Sequence, residues 1–230
     1  MENHAQPPVL RRPLRPLKSE FPDFERAHAY CHGETWIWIS PRYREARRLV
    51  HAIGDFLEAS PPFLTALGPK HIFVSHAPYG NGSPHPAGCA YPQHGTLIFF
   101  RYAETEKATI TSPATLLHEL AHLADVNGGP PDMKTWLAAI ASDFRHQKDL
   151  KADPEIAVPM KAISADGFMC HRYMLQTRKK ALANVIEEDW ADAVALFCMS
   201  LTAKGMYGVP FSFFYPARAA ILESLVSQRG

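Results

Sequence analysis

The chain contains 230 residues, 47% of them hydrophobic, which is enough for one globular domain with a substantial core. The 24 Lys and Arg residues nearly balance the 23 Asp and Glu residues, so no excess of positive charge indicates binding to nucleic acid or to a membrane surface. No segment approaches the roughly 20 consecutive apolar residues that a membrane-spanning helix requires. We therefore expect neither a nucleic acid nor a membrane among the partners.

The first part of the chain, residues 1–20, is rich in proline and arginine and poor in large apolar side chains. This composition predicts a flexible arm, followed by a single domain over residues 21–230. The arm has no apolar central region of the kind found in secretory signals, which favours a cytoplasmic location. Secretion or delivery without a cleaved signal stays open.

The spacing of apolar residues predicts an α+β fold with a small sheet and a mainly helical second half. A first helix is expected from Pro41 to about Ser60. A short strand follows over residues 71–75, and after a loop rich in Gly and Pro a second strand region runs from Cys89 to Phe100. Besides the central helix described next, helices are predicted over residues 132–148, 185–203 and 216–227.

The best-defined element is a central helix over residues 113–126. Ser112 is a favourable N-cap residue, Pro113 suits the first helical position, and Asn127-Gly128-Gly129 is a typical stop signal. Apolar residues predominate between these ends, which indicates a largely buried helix.

This helix carries the motif H-E-x-x-H, formed by His118, Glu119 and His122. Residues four apart lie on the same side of a helix, so both imidazoles can point at one metal ion. Glu119 lies roughly 100° further round the helix, where it can serve as general base for a water molecule at the metal. Two histidines and a glutamate in an apolar helix would be costly without a metal to satisfy them. The motif therefore predicts a Zn²⁺ site of the catalytic kind.

A catalytic zinc site needs a third protein ligand, and the acidic segment of a later helix offers one. Glu188 and Asp192 are four residues apart and share one side of that helix. One of them can bind the metal while the other accepts the free N–H of a ligating histidine. We expect Glu188 to be the ligand; Glu187 and His146 remain alternatives.

The sequence His-Glu-Leu-Ala-His122, followed at a distance by Glu188-Asp-Trp-Ala-Asp192, resembles the gluzincin metallopeptidases. Within that group it is similar to the anthrax lethal factor-like and MtfA-like peptidases. The resemblance implies a zincin-like fold, Glu188 as the third zinc ligand and Asp192 as the acidic residue that supports a ligating histidine.

The residue that would stabilise the oxyanion is less well marked. Lethal factor-like enzymes carry a tyrosine two turns before the ligand glutamate, and Ala181 stands at that place here. His171 and Tyr173, just before the second motif, are the first candidates for this catalytic role. Tyr207 and Tyr215 are alternatives.

Two further expectations concern the surroundings of the metal. Asp125, three residues after His122, either orients a ligand or caps the helix locally. In zincins the strand before the metal-binding helix is a sheet edge that pairs with an extended substrate, so the resemblance implies that Ala90 to Phe99 binds a protein or peptide in this way. The predicted function is that of a zinc-dependent endopeptidase. The alternatives are a zinc aminopeptidase, a hydrolase of a non-peptide substrate, and a catalytically silent binding module that contains zinc.

Overall fold

The computed structural model describes residues 26–65, 68–77, 88–101, 105, 107–124, 129–151, 182–202 and 210–227. Within these ranges the chain forms a mixed five-stranded sheet and seven α-helices, as expected for the predicted α+β class. The predicted arm over residues 1–20 lies outside them. Among the described helices, none combines the length and the apolar character needed to cross a lipid bilayer.

The sheet has the spatial order β1-β2-β3-β5-β4. The three inner strands run parallel to one another, and the two edge strands, β1 and β4, are antiparallel to their neighbours. The strands comprise His28–His32 (β1), Thr35–Ile39 (β2), His71–Val74 (β3), Gly88–Tyr91 (β4) and Thr96–Phe99 (β5).

The spacing of apolar residues does not predict the β1–β2 hairpin, and it predicts β4 and β5 as one strand region. Between these two strands, residues 92–94 form a turn of 3-10 helix, and Gly95 has a φ of 58°, a left-handed conformation that glycine adopts without strain. The chain therefore reverses at Gly95. This turn corrects the expectation that Ala90 to Phe99 form a sheet edge. Strand β5 pairs on both sides, with β3 and β4, so that of these two strands only β4 lies at an edge.

The helices follow the predicted order. The first begins at Ala46 rather than at Pro41, because residues 41–45 form turns in which the Tyr43 hydroxyl donates a hydrogen bond to the carbonyl oxygen of Ser75 (2.9 Å). The bounds are Ala46–Ala59 (α1), Pro62–Thr65 (α2), Pro113–Leu123 (α3), Met133–Lys151 (α4), Leu182–Thr202 (α5), Phe211–Phe214 (α6) and Pro216–Ser227 (α7).

Helix α3 lies between the sheet and the helical half of the molecule. Its residues Leu116 and Leu120 belong to a buried cluster formed with α1 and one face of the sheet. Leu117 and Ala121, on another side of α3, belong to a second buried cluster built from α4, α5, α6 and α7. Two sides of α3 are thus occupied by apolar packing, which fixes how the helix is rotated about its axis.

A buried ionic network joins the helices of the second half. The Arg218 side chain, only 2% exposed, donates from Nε to Asp143 (2.8 Å) and from a terminal nitrogen to Asp189 (2.8 Å). These three residues come from α7, α4 and α5. Burial raises the pKa of Asp189 to about 6, while the positive charge of Arg218 opposes that shift. The two buried carboxylates therefore depend on one guanidinium for compensation.

Replacing Arg218 tests how strongly this network holds the helices together. We expect Arg218→Met to lower the free energy of unfolding by about 3–5 kcal/mol, because it leaves two buried carboxylates without their cation. The measurement is urea unfolding in the presence of EDTA, so that metal binding does not contribute. The control is Arg145→Met, which removes an exposed arginine of α4 and is expected to change stability by no more than about 0.5 kcal/mol. Equal losses in the two variants would contradict the assignment.

Candidate metal centre

Helix α3 places the two histidines of the H-E-x-x-H motif side by side. The Nε2 atoms of His118 and His122 lie 3.3 Å apart, and the two ring planes meet at 79°. Both nitrogens therefore point toward a common position, as the four-residue spacing predicts.

The third member of the group comes from α5. An Oε2 atom of Glu188 lies 3.4 Å from Nε2 of His118. One ligand atom from each of His118, His122 and Glu188, which form the metal group, falls within 4.8 Å of the other two. Within the described ranges, this is the one set of three or more His, Cys, Asp or Glu residues that could hold a metal ion. The Glu188 side chain is 39% exposed, so one side of the group is accessible.

Asp192 contacts the opposite edge of the His118 ring. The Nδ1–H of His118 donates a hydrogen bond of 2.8 Å to the Asp192 carboxylate, which is 7% exposed. This bond holds one ring proton on Nδ1 and directs Nε2 toward His122 and Glu188. Burial lowers the pKa of His118, but the hydrogen bonds to Asp192 and Glu188 and the charges of Glu119 and Asp192 together outweigh burial and raise that pKa to about 10.

Glu119 lies beside the metal group and beneath the edge strand β4. It is 6% exposed, and a β-carbon added to Gly88 would come within 2.8 Å of its Cγ and 2.9 Å of its Oε1. Only glycine therefore allows the strand to approach the carboxylate so closely. Burial raises the pKa of Glu119 to about 7; the charges of Glu188 and Asp192 act in the same direction and His118 opposes them.

Residues next to Glu188 in the sequence hold α5 in its position. The indole N–H of Trp190 donates a hydrogen bond of 3.0 Å to the carbonyl oxygen of Ala121 in α3. The indole N–H of Trp136 donates to Asp189 (2.9 Å), and the Trp136 and Trp190 rings meet edge to face with centroids 4.9 Å apart. Since Asp189 and Trp190 are anchored, the direction of Glu188 is fixed as well.

The alternative ligands named from the sequence lie elsewhere. The Glu187 side chain packs against Gly129, where an added β-carbon would be 3.1 Å from its Cγ. The ring of His146 donates a hydrogen bond of 2.9 Å to the carbonyl oxygen of Phe213. Neither residue belongs to the metal-binding group. Tyr215, an alternative for the oxyanion, is buried in the helical core against Phe211.

Several predicted site residues fall outside the described ranges, namely Asp125, His171 and Tyr173, together with Ala181 and Tyr207. The structure adds two features that sequence reasoning did not identify. These are the contact between Gly88 and Glu119 and the anchoring of α5 through Asp189 and Trp190. In the sequence, a glycine at the start of an edge strand only weakly indicates that the strand lies close to another side chain. Trp190 indicates only that its helix packs against the core.

No protein-family model, curated protein or solved structure gives a significant match to this chain. The likeness to gluzincins therefore depends on the two helical motifs alone.

Substitution of the two neighbouring glutamates tests which of them binds the metal. After removal of metal with EDTA, the protein is titrated with Zn²⁺ in a calorimeter. We expect Glu188→Ala to weaken Zn²⁺ binding by at least about 100-fold, beyond the 10–100-fold typical when only a hydrogen-bonding neighbour of a ligand is lost. Glu187→Ala, the matched control, is expected to bind Zn²⁺ like the wild type. The reverse order would assign the third ligand to Glu187.

Proposed function

We propose that this protein is a zinc-dependent endopeptidase of the gluzincin type, with His118, His122 and Glu188 as metal ligands and Glu119 as general base. The observation that carries the proposal is the convergence of three ligand atoms from α3 and α5 beside a buried carboxylate that takes no part in the group. A purely structural metal site has no use for such a base.

The donor set fits zinc. Two imidazole nitrogens and one carboxylate oxygen form the ligand set of many catalytic zinc sites, in which three protein ligands leave one position for water or substrate. The partial exposure of Glu188 is consistent with such an open position. When bound, Zn²⁺ supplies Lewis acidity, which polarises a carbonyl group and makes water a stronger acid.

The residues of the chain have distinct tasks in this proposal. Asp192 holds a proton of His118 on Nδ1, so that Nε2 is the nitrogen that would lose its proton and bind the metal. Glu119 accepts a proton from the attacking water and returns it to the leaving amine. Its buried position beside Gly88 shields the carboxylate from bulk solvent, which strengthens its interactions with the reacting groups.

The edge strand β4 favours a peptide over other substrates. Within the described part of the chain, β4 has a strand neighbour on one side, β5. Its outer side can pair with an extended peptide through backbone hydrogen bonds. Because Gly88 of β4 touches Glu119, a peptide paired with this strand passes close to the general base and to the metal group.

Removal of the general base tests the proposal. Zinc-loaded wild-type protein is incubated with a peptide library derived from a digested proteome, and new termini are identified by mass spectrometry. We expect internal cleavage, and we expect Glu119→Gln to lower the cleavage rate by about 10²–10⁴-fold while zinc content stays unchanged. The control variant is Glu187→Gln, which keeps the reaction machinery intact.

The products also separate the alternatives. Loss of single residues from the N-termini alone would indicate a zinc aminopeptidase. No cleavage by a protein that holds a full equivalent of zinc would contradict the endopeptidase proposal and favour the binding module.

A substitution at the edge strand tests the placement of Glu119. We expect Gly88→Ala to lower the cleavage rate by about 10²-fold, because the added β-carbon displaces a buried catalytic carboxylate. Zinc binding is expected to remain, since the three atoms nearest to the added β-carbon all belong to Glu119, which is not a metal ligand. The control is Cys89→Ala, one residue along β4, whose side chain packs against a separate cluster, on the opposite face of the sheet, formed by Trp38, Phe73, Ile98 and Phe100. Equal activity of the two variants would argue against this contact.

A further inference from the structure

A surface cavity of about 630 Å³ opens where the parallel strands β2, β3 and β5 end. The segments that follow these strands contribute to its wall, together with the first turns of α1. The carboxyl ends of parallel strands are a common place for ligand sites, and the volume lies in the range of small-molecule sites. None of its residues belongs to the metal group. The lining consists of Arg42, Tyr43, Arg44, Glu45, Arg48, Leu49, Ala52, His76, Lys107, Ala108 and Thr111.

The charge of this lining is strongly one-sided. Among the described residues of the lining are three arginines, one lysine and one carboxylate, that of Glu45, which pairs with Arg48 at 3.2 Å. The chain as a whole has a net charge of only +1, so the positive charge is concentrated locally. A cavity of this kind attracts anions, and arginine is well suited to phosphate because its planar guanidinium can donate two parallel hydrogen bonds.

A fifth cation lies close to the cavity. Arg101, just after β5, has a buried Nε with no hydrogen-bond partner in the described part of the chain. Its charge acts on Tyr43: burial raises the pKa of the Tyr43 hydroxyl and Arg101 lowers it. A buried donor without an acceptor is unfavourable. The formal positive charge of the described residues at the cavity is thus larger than one carboxylate group of a ligand would balance.

Part of the lining is aromatic or apolar. The rings of Tyr43 and His76 meet edge to face, with centroids 5.1 Å apart. Leu49, Ala52 and Ala108 add aliphatic surface to the lining. This combination suits a ligand with an organic part and a multiply charged anionic group.

We propose that this cavity binds a small organic molecule bearing a phosphate group, at a site separate from the metal group. The proposal does not depend on the peptidase activity, because the two sets of residues do not overlap.

The test uses phenyl phosphate as probe, with the dicarboxylate isophthalate as a probe of comparable charge, in calorimetric titrations of the zinc-loaded full-length protein. We expect one equivalent of phenyl phosphate to bind, more tightly than isophthalate, and binding to persist after zinc is removed with EDTA. Loss of binding on zinc removal would place the phosphate at the metal and overturn the proposal. Equal or tighter binding of isophthalate would overturn the assignment to phosphate, and so would no binding up to about 10 mM.

Paired charge variants locate the binding site. Arg44→Gln combined with Lys107→Gln removes two exposed cations of the lining. We expect this variant to bind phenyl phosphate at least about tenfold more weakly, as loss of charge-assisted hydrogen bonds implies. Arg47→Gln combined with Lys134→Gln removes two exposed cations outside the lining and is expected to bind like the wild type. Equal weakening in both would show attraction to the overall charge and overturn the proposal.

Discussion

The hydrogen bond from the Trp190 indole to the carbonyl oxygen of Ala121 connects the two helices that share the metal group. Helix α3 contributes two of the three residues that could hold a metal ion and α5 the third, so the site exists only when these helices dock in one register. The adjacent residue, Asp189, is held from another direction by Arg218 and Trp136. Both anchors are buried, where hydrogen-bond geometry is strict because an unmade bond is costly. The site thus depends on polar contacts within an apolar core.

Each side of α3 has a different neighbour. Leu116 and Leu120 pack on the sheet, Leu117 and Ala121 pack on the helical half, and His118 turns toward α5. The metal group therefore forms at the junction of the two halves of the molecule. Glu119 lies on the remaining side of α3, under the edge strand β4. The proposed general base and the proposed substrate-binding strand are therefore in contact. Packing on several sides restricts the movement of His118, Glu119 and His122 at once.

Although the net charge of the chain is only +1, acidic and basic side chains are concentrated in different places. Four carboxylates, those of Glu119, Glu187, Glu188 and Asp192, belong to or adjoin the metal group, and their mutual influence contributes to the raised pKa values of Glu119 and Glu187. The arginine and lysine side chains that line the cavity at the strand ends produce a region of positive potential. A region of negative potential suits a metal cation, and a region of positive potential suits a phosphate. The two proposed sites therefore differ in the charge of what they would bind.

The sequence by itself determined the local features: the approximate positions of the five longer helices, the common direction of His118 and His122, and the placement of Glu188 and Asp192 one turn apart on one side of a helix. These follow from the fixed period of the α-helix, which relates neighbouring residues regardless of the rest of the chain. Only the tertiary structure decided that Glu188 rather than Glu187 faces the histidines, because the rotation of α5 depends on Trp190, Asp189 and their distant partners. It also decided that β4 is the edge strand and that Gly88 lies on Glu119. Strand order and helix rotation are set by contacts between segments far apart in sequence, and a local pattern carries little information about such contacts.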